Sequence, residues 1–202
     1  MRKAAIHRHV RGRRGMYKRI GDYGIIGDLR TVALIGNDGS IDWLCLPCMD
    51  SPSIFAALLD EEKGGRFSVS PADPWDSTAA YIPGTNILTT TFRTRTGEMK
   101  LTDFMPLSEE TGIALEEGRP EIYRLIEITH GELRAQVTFT PRPDYARAVA
   151  VVEHTGGAIV AGGAGMEVVL CGTRMDIEVR DDRAKAVWDL LTLTFSMCLT
   201  VG

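Results

Sequence analysis

Residues 31–46 read TVALIGNDGSIDWLCL. Two β-rich runs, Thr31 to Ile35 and Ser40 to Leu46, flank Asn37-Asp38-Gly39. An Asp-Gly between such runs marks a hairpin, because glycine tolerates the positive φ that the turn requires. The same strand, turn, strand grammar continues along the chain. Ile87 to Arg93 turns near Thr96-Gly97 into Glu98 to Phe104, and Ile122 to Thr129 turns at His130-Gly131 into Glu132 to Pro141. Both are expected to be antiparallel pairs. Val149 to His154 turns at Gly156-Gly157 into Ala158 to Val160, and Met166 to Cys171 follows. Ile177 to Val179 then turns at Asp181-Asp182 toward a last run ending at Val201. About ten to twelve strands result. One segment reads as a helix: Ser51 as N-cap, Pro52 at the first helical position, then Ile54, Phe55, Ala57, Leu58 and Leu59, with Gly64-Gly65 as the stop. Many strands, one short helix and no βαβ alternation give an all-β fold, a large antiparallel two-sheet sandwich.

A chain of 202 residues that is 44% hydrophobic can bury a full core, and it is expected to form one domain over residues 20–202. Residues 1–19 differ. Arg2, Lys3, Arg8, Arg11, Arg13, Arg14, Lys18 and Arg19 crowd a stretch too polar for a core and without the apolar region of a signal peptide, so a disordered basic tail is expected. Met16 stands just before the patterned sequence and offers an alternative start. Over the whole chain 27 acidic residues outnumber 23 basic ones, which argues against a nucleic-acid partner. No stretch has the length of apolar residues that a membrane-spanning helix needs. Cys45, Cys48, Cys171 and Cys198 lie in apolar, patterned sequence with no sign of secretion, so reduced thiols in the cytoplasm are expected. Cys45 and Cys48 form a C-x-x-C, but neither the βαβ context of a redox site nor a second ligand pair for zinc accompanies them.

The chemistry-bearing motifs mostly read as turns. Gly21, Gly24 and Gly27, like the glycines from Gly156 to Gly165, lack the Lys-Ser/Thr of a phosphate loop. The acid pairs Glu61-Glu62, Glu109-Glu110, Glu116-Glu117 and Asp181-Asp182 are adjacent in sequence, which points their side chains apart rather than into one site. His7, His9, His130 and His154 have no metal-ligand spacing. No catalytic residue, metal or cofactor is therefore expected. Residues 36–55, GNDGSIDWLCLPCMDSPSIF, are the exception. They combine Asp42, Trp43 and Asp50 in a hairpin and the loop after it, and an indole beside carboxylates is what sugar recognition uses: a ring for the C–H face, acceptors for the hydroxyls. The alternative roles are core packing for Trp43 and turn capping for Asp42 and Asp50.

The same region carries a resemblance. IGDYGIIGDLRTVALIGNDGSIDWLCLPCMDSPSIFAALLDEEKGGRF, from Ile20 to Phe67, resembles the opening of bacterial and archaeal family 15 glycoside hydrolases, the glucoamylases and trehalase-like enzymes. Residues 81–86 (YIPGTN), 101–106 (LTDFMP) and 141–147 (PRPDYAR) agree with that family in order and spacing, while the part after Gly156 matches weakly. The resemblance implies the two-sheet "supersandwich" of that family. It also implies hydrolysis of α-glucosidic bonds by an (α/α)6 barrel following the sandwich, through a pair of glutamates acting as acid and base. Those glutamates have no counterpart here, so no catalytic role transfers. What the resemblance transfers is a supporting place beside the barrel for the loop of Asp42, Trp43 and Asp50; the family commonly has a basic residue where this chain has Cys48. The expected partners are such a barrel, in cis or from a neighbouring chain, and α-glucoside oligosaccharides. An uncovered docking face would also favour a homo-oligomer. The alternative is a free-standing carbohydrate-binding or regulatory module presenting Trp43, Trp75 or Tyr81 as an aromatic platform.

Overall fold

A computed structural model describes residues 6–10, 17–107, 120–173, 176–190 and 194–201. In chain order the first strands are β1 (Ile6–Val10), β2 (Tyr23–Gly27), β3 (Val32–Gly36), β4 (Ser40–Cys45), β5 (Ser53–Phe55) and β6 (Arg66–Pro71). Then come β7 (Trp75–Tyr81), β8 (Leu88–Thr94), β9 (Gly97–Phe104), β10 (Glu121–Gly131) and β11 (Leu133–Thr140). A single turn of helix, α1 (Pro143–Ala146), precedes β12 (Val151–Thr155), β13 (Ala158–Gly163), β14 (Met166–Gly172), β15 (Glu178–Arg180), β16 (Arg183–Leu190) and β17 (Thr194–Val201). One sheet runs β1-β7-β8-β9-β10-β17-β14-β13-β12. The other runs β15-β16-β11-β6-β4-β3-β2, with β5 paired to β4. Every pairing is antiparallel. The all-β two-sheet sandwich read from the sequence is the architecture of the chain.

Several details differ from the expectation. The segment read as a helix after Ser51 is β5 followed by turns, and the short helix lies instead at Pro143–Ala146. Ser53, Ile54, Phe55, Ala56 and Ala57 are all buried, which suits a short strand wedged into the sandwich better than a one-sided surface helix. The glycine stop has a different job. Ala56 N donates to the Gly64 carbonyl, closing the 56–64 loop on itself. Nor do β10 and β11 form a hairpin: β10 pairs with β9 and β17, while β11 pairs with β6 and β16 in the other sheet. The His130-Gly131 turn is a corner between sheets. The final run likewise divides into β16 and β17, one strand for each sheet. Within residues 1–19, Ile6–Val10 pairs with β7 as an edge strand, and Lys18 is bonded into the sandwich as described below.

The core lies between the sheets and follows strand alternation. Met99 and Leu101 from β9, Ile122, Ile126 and Ile128 from β10, Phe67 and Val69 from β6, and Val137 and Phe139 from β11 all point inward. Phe139 meets Phe55 and Phe67 edge to face, at 6.0 and 5.7 Å between ring centres. In the middle of this apolar layer stands Arg124, with no exposed surface. Its Nε donates to Asp103 Oδ1 at 2.8 Å, its terminal nitrogens donate to the carbonyls of Phe67 at 3.0 Å and Gly39 at 2.7 Å, and its guanidinium lies 4.7 Å from the Phe67 ring centre. Asp103 is equally buried. Since β9 and β10 belong to one sheet and β6 and the Gly39 turn to the other, this charged group bridges the sandwich. Gly39, at φ +78, is required here: a Cβ would stand 2.1 Å from the Val69 carbonyl oxygen.

Candidate functional site

β4 pairs with β3 as Leu44 with Ala33 and Trp43 with Leu34, and then as Ile41 with Ile35. Asp42 is the extra residue of a β-bulge. The bulge resets the alternation, so Ile41 and Leu44 both enter the core while Asp42 and Trp43 point away from it, Asp42 covered by its polar neighbours to 1% exposure and Trp43 half-buried. Regular pleating would have separated this pair of neighbours onto opposite faces.

Asp42 anchors a charge cluster. Its Oδ2 accepts from Lys18 Nζ at 2.6 Å and from the Tyr23 hydroxyl at 2.9 Å, and Arg66 Nε stands 3.6 Å from Oδ1. Lys18 also reaches Ser40 Oγ at 3.1 Å and Asp38 Oδ2 at 2.9 Å. Gly36 leaves room for these groups: a Cβ there would lie 2.5 Å from Asp38 Oδ1 and 2.8 Å from Ser40 Oγ. Burial alone would lower the Lys18 ammonium, but the carboxylates of Asp38 and Asp42 outweigh it and hold the group above its ordinary value. Burial would raise Asp38, and the Lys18 charge with the Ser40 donors holds it below instead. Tyr23 is pushed up by burial and then by the Asp42 carboxylate it donates to. The outcome is one ammonium held between two carboxylates, an arrangement that fixes Lys18 to the sandwich.

Trp43 leads in another direction. It is half-buried, with its ring 6.1 Å from that of Tyr145 at an interplanar angle of 44°. Tyr145 belongs to α1, where Asp144, Tyr145 and Ala146 take φ values of 53, 57 and 63, a left-handed turn. Ser53 Oγ accepts from Tyr145 N at 3.1 Å, and the Arg147 guanidinium stands 5.6 Å from the Tyr145 ring. Asp50, by contrast, is exposed on the 46–52 loop and apart from the charge cluster.

That loop belongs to a rim of the sandwich. Asp28, nearly fully buried, accepts at Oδ1 from the backbone of Arg30 at 3.0 Å and Thr31 at 2.8 Å. Thr31 Oγ1 donates to the Cys45 carbonyl and Met49 N to the Arg30 carbonyl, tying the 28–31 turn to the 46–52 loop. Asn86 Nδ2 reaches the Gly27 carbonyl at 3.2 Å, and the Tyr81 hydroxyl bonds both N and O of Ile25, which joins the 82–87 loop of the other sheet.

The structure therefore brings Asp42 and Trp43 to one face and sets Asp50 apart. Lys18, Tyr23, Arg66 and Tyr145 were not singled out from sequence. The i, i+2 spacing of Ser40 and Asp42 on β4, with Asp38 in the turn just before it, was the available signal. Of the other rings considered, Trp75 packs edge-on against Phe92 at 5.0 Å and Tyr81 is engaged with Ile25. Burial pushes the Cys45 thiol up, away from the reactive thiolate form. Among the described residues no His, Cys, Asp and Glu side chains converge as a metal ion would need, and no helix is long and apolar enough to cross a membrane.

Comparison with known proteins gives consistent matches. The family described as "Trehalase-like, N-terminal" matches residues 8–198. A trehalase of Thermoplasma volcanium is 36% identical over 141 residues, covering 68% of this chain and 22% of that protein. A trehalase of Thermoplasma acidophilum is 38% identical over 117 residues, 56% of this chain and 19% of its own length. A trehalase of Mycolicibacterium smegmatis is 32% identical over 157 residues, 72% of this chain and 23% of its own. The chain thus spans less than a quarter of the curated relatives it matches.

Proposed function

Because the chain belongs to the trehalase-like N-terminal family, we propose that it is the non-catalytic sandwich half of a glycoside hydrolase of the family 15 kind, a trehalase or glucoamylase. In this reading an (α/α)6 barrel, in cis or on a neighbouring chain, hydrolyses the α-glucosidic bond, and the sandwich supports it. The observation that carries the proposal is the pairing of 36% identity to a trehalase with coverage of only 22% of it. The chemistry of the charge cluster agrees. A general acid needs a carboxyl with a raised pKa, and an inverting pair needs an open gap between two carboxyls for water. Asp38 is instead pushed down, and the Lys18 ammonium lies between it and Asp42.

Trp43 and Tyr145 are the groups we place nearest to an α-glucoside, as a wall at the barrel's substrate entrance, with Asp50 on the adjoining rim. A free-standing carbohydrate module calls for exposed, coplanar rings, and the 44° tilt of Trp43 against Tyr145, with Trp75 and Tyr81 engaged elsewhere, favours the accessory role. The proposal includes a cytoplasmic setting, in which the thiols of Cys45 and Cys48 stay unpaired.

Glucose release from trehalose and from maltooligosaccharides tests it. The chain is assayed alone, and then mixed with Thermoplasma volcanium trehalase lacking the segment this chain matches. Release only from the mixture is the expected result. Release by the chain alone would overturn the non-catalytic role.

A further inference from the structure

Leu29 combines two properties that rarely coincide. It is 78% exposed, and its φ is +71, in the left-handed region that disfavours a branched apolar side chain. A non-glycine residue is strained there and persists only where the surroundings over-determine it. They do so here: buried Asp28 accepts from the two amides after Leu29, and the turn is pinned through Arg30 and Thr31 to the 46–52 loop. The leucine contributes little to the core in return, because most of its surface meets solvent. Met49 on the tied loop is 57% exposed, Ile82 on the loop held through Asn86 and Tyr81 is 40% exposed, and Pro47 is exposed as well. Three loops from both sheets thus form a hydrogen-bonded rim that displays apolar side chains, and a rigid apolar display is the character of an interface rather than of a free surface.

We propose that this rim, Leu29, Met49 and Ile82, is the surface on which the C-terminal remainder of a trehalase-type protein packs. The proposal rests on the accessory reading above and adds to it the place of contact. The occupant follows from the size of the relatives: the matching family is an N-terminal one, and the trehalases leave more than three quarters of their length beyond the match, enough to cover a whole rim. Other exposed apolar side chains, Ile20, Leu59, Val149, Val151 and Val187 among them, lie outside this rim.

The mixing assay described above separates the two ideas. With the wild-type chain restoring glucose release, the Leu29→Asp, Met49→Glu double variant is expected to lower the restored rate at least tenfold at limiting chain concentration, and Val149→Asp to leave it unchanged. If the double variant restores release as well as the wild type, or Val149→Asp is the one that abolishes it, the rim is not the docking surface while the accessory reading stands. Failure of the wild-type chain to restore release overturns the accessory reading and the rim proposal with it. Thermal unfolding of the isolated chain supplies a test independent of any partner. Leu29→Asn, which tolerates the left-handed conformation, is expected to raise Tm by about 2–4 °C if the leucine is strained for display. A fall in Tm would show that Leu29 serves the fold, and would overturn the proposal.

Discussion

Arg124 and Asp103 occupy inward positions that strand alternation would give to apolar side chains, and each is intelligible only through the other. The guanidinium has its charge balanced by the carboxylate and donates also to two carbonyls, so each of its three nitrogens has an acceptor. Removing one partner leaves an uncompensated charge in the core. Arg124→Met is expected to cost about 3–5 kcal/mol in urea unfolding, and the double variant with Asp103→Leu to recover much of that loss. The Lys18 cluster predicts a pH dependence. Asp38 is held below its ordinary 3.8, so its contribution is present above that pH and is lost as pH falls through the depressed value. Lys18 is held above its ordinary 10.5, so its contribution is complete below that pH and is lost as pH rises through the elevated value. The cluster is therefore at full strength between about pH 4 and pH 10. Lys18→Met is expected to lower the urea midpoint inside that window and to flatten its decline on acidification, since Asp38 then returns toward its ordinary value. A decline as steep as that of the wild type would refute the pairing.

Among the elements, the β3–β4 hairpin depends on Gly39, where a side chain would collide with the Val69 carbonyl and disturb the oxygen that receives Arg124. Gly39→Ala is expected to destabilise the chain by about 2 kcal/mol or more, read from thermal or chemical unfolding. That hairpin was the most legible element in the sequence, because its turn chemistry and its strand propensity agree. The misread elements are those where local and tertiary signals conflict. Ser51-Pro52 followed by Ile54 and Phe55 has the grammar of a helix start, but wedging between β4 and α1 decides for a strand. His130-Gly131 has the grammar of a hairpin turn, but nothing local distinguishes a turn that stays in one sheet from one that crosses to the other. The bulge at Asp42 was invisible for a related reason. Its extra residue is defined by the partner strand, and only with it in place do Asp42 and Trp43 share a face. Lys18 was hidden by its neighbours, since a run of basic residues reads as solvated until one of them finds two carboxylates.

At the scale of the molecule, the sandwich is two sheets whose successive strands repeatedly change sides, as β10 to β11 and β16 to β17 do. Its stability therefore rests on contacts between parts of the chain far apart in sequence. The Arg124 bridge is the extreme case: its partners are 21, 57 and 85 residues away. A charge can give up its water only when all those partners are already in place, so the bridge must form late along the folding route, after the apolar strands have collapsed around it. Substitutions at Arg124 are then expected to steepen the rate of opening and to leave the rate of closing nearly untouched, which the two arms of a chevron would separate. The group that locks the sheets together thereby sets how long the native state lasts, and has little influence on how quickly it is reached.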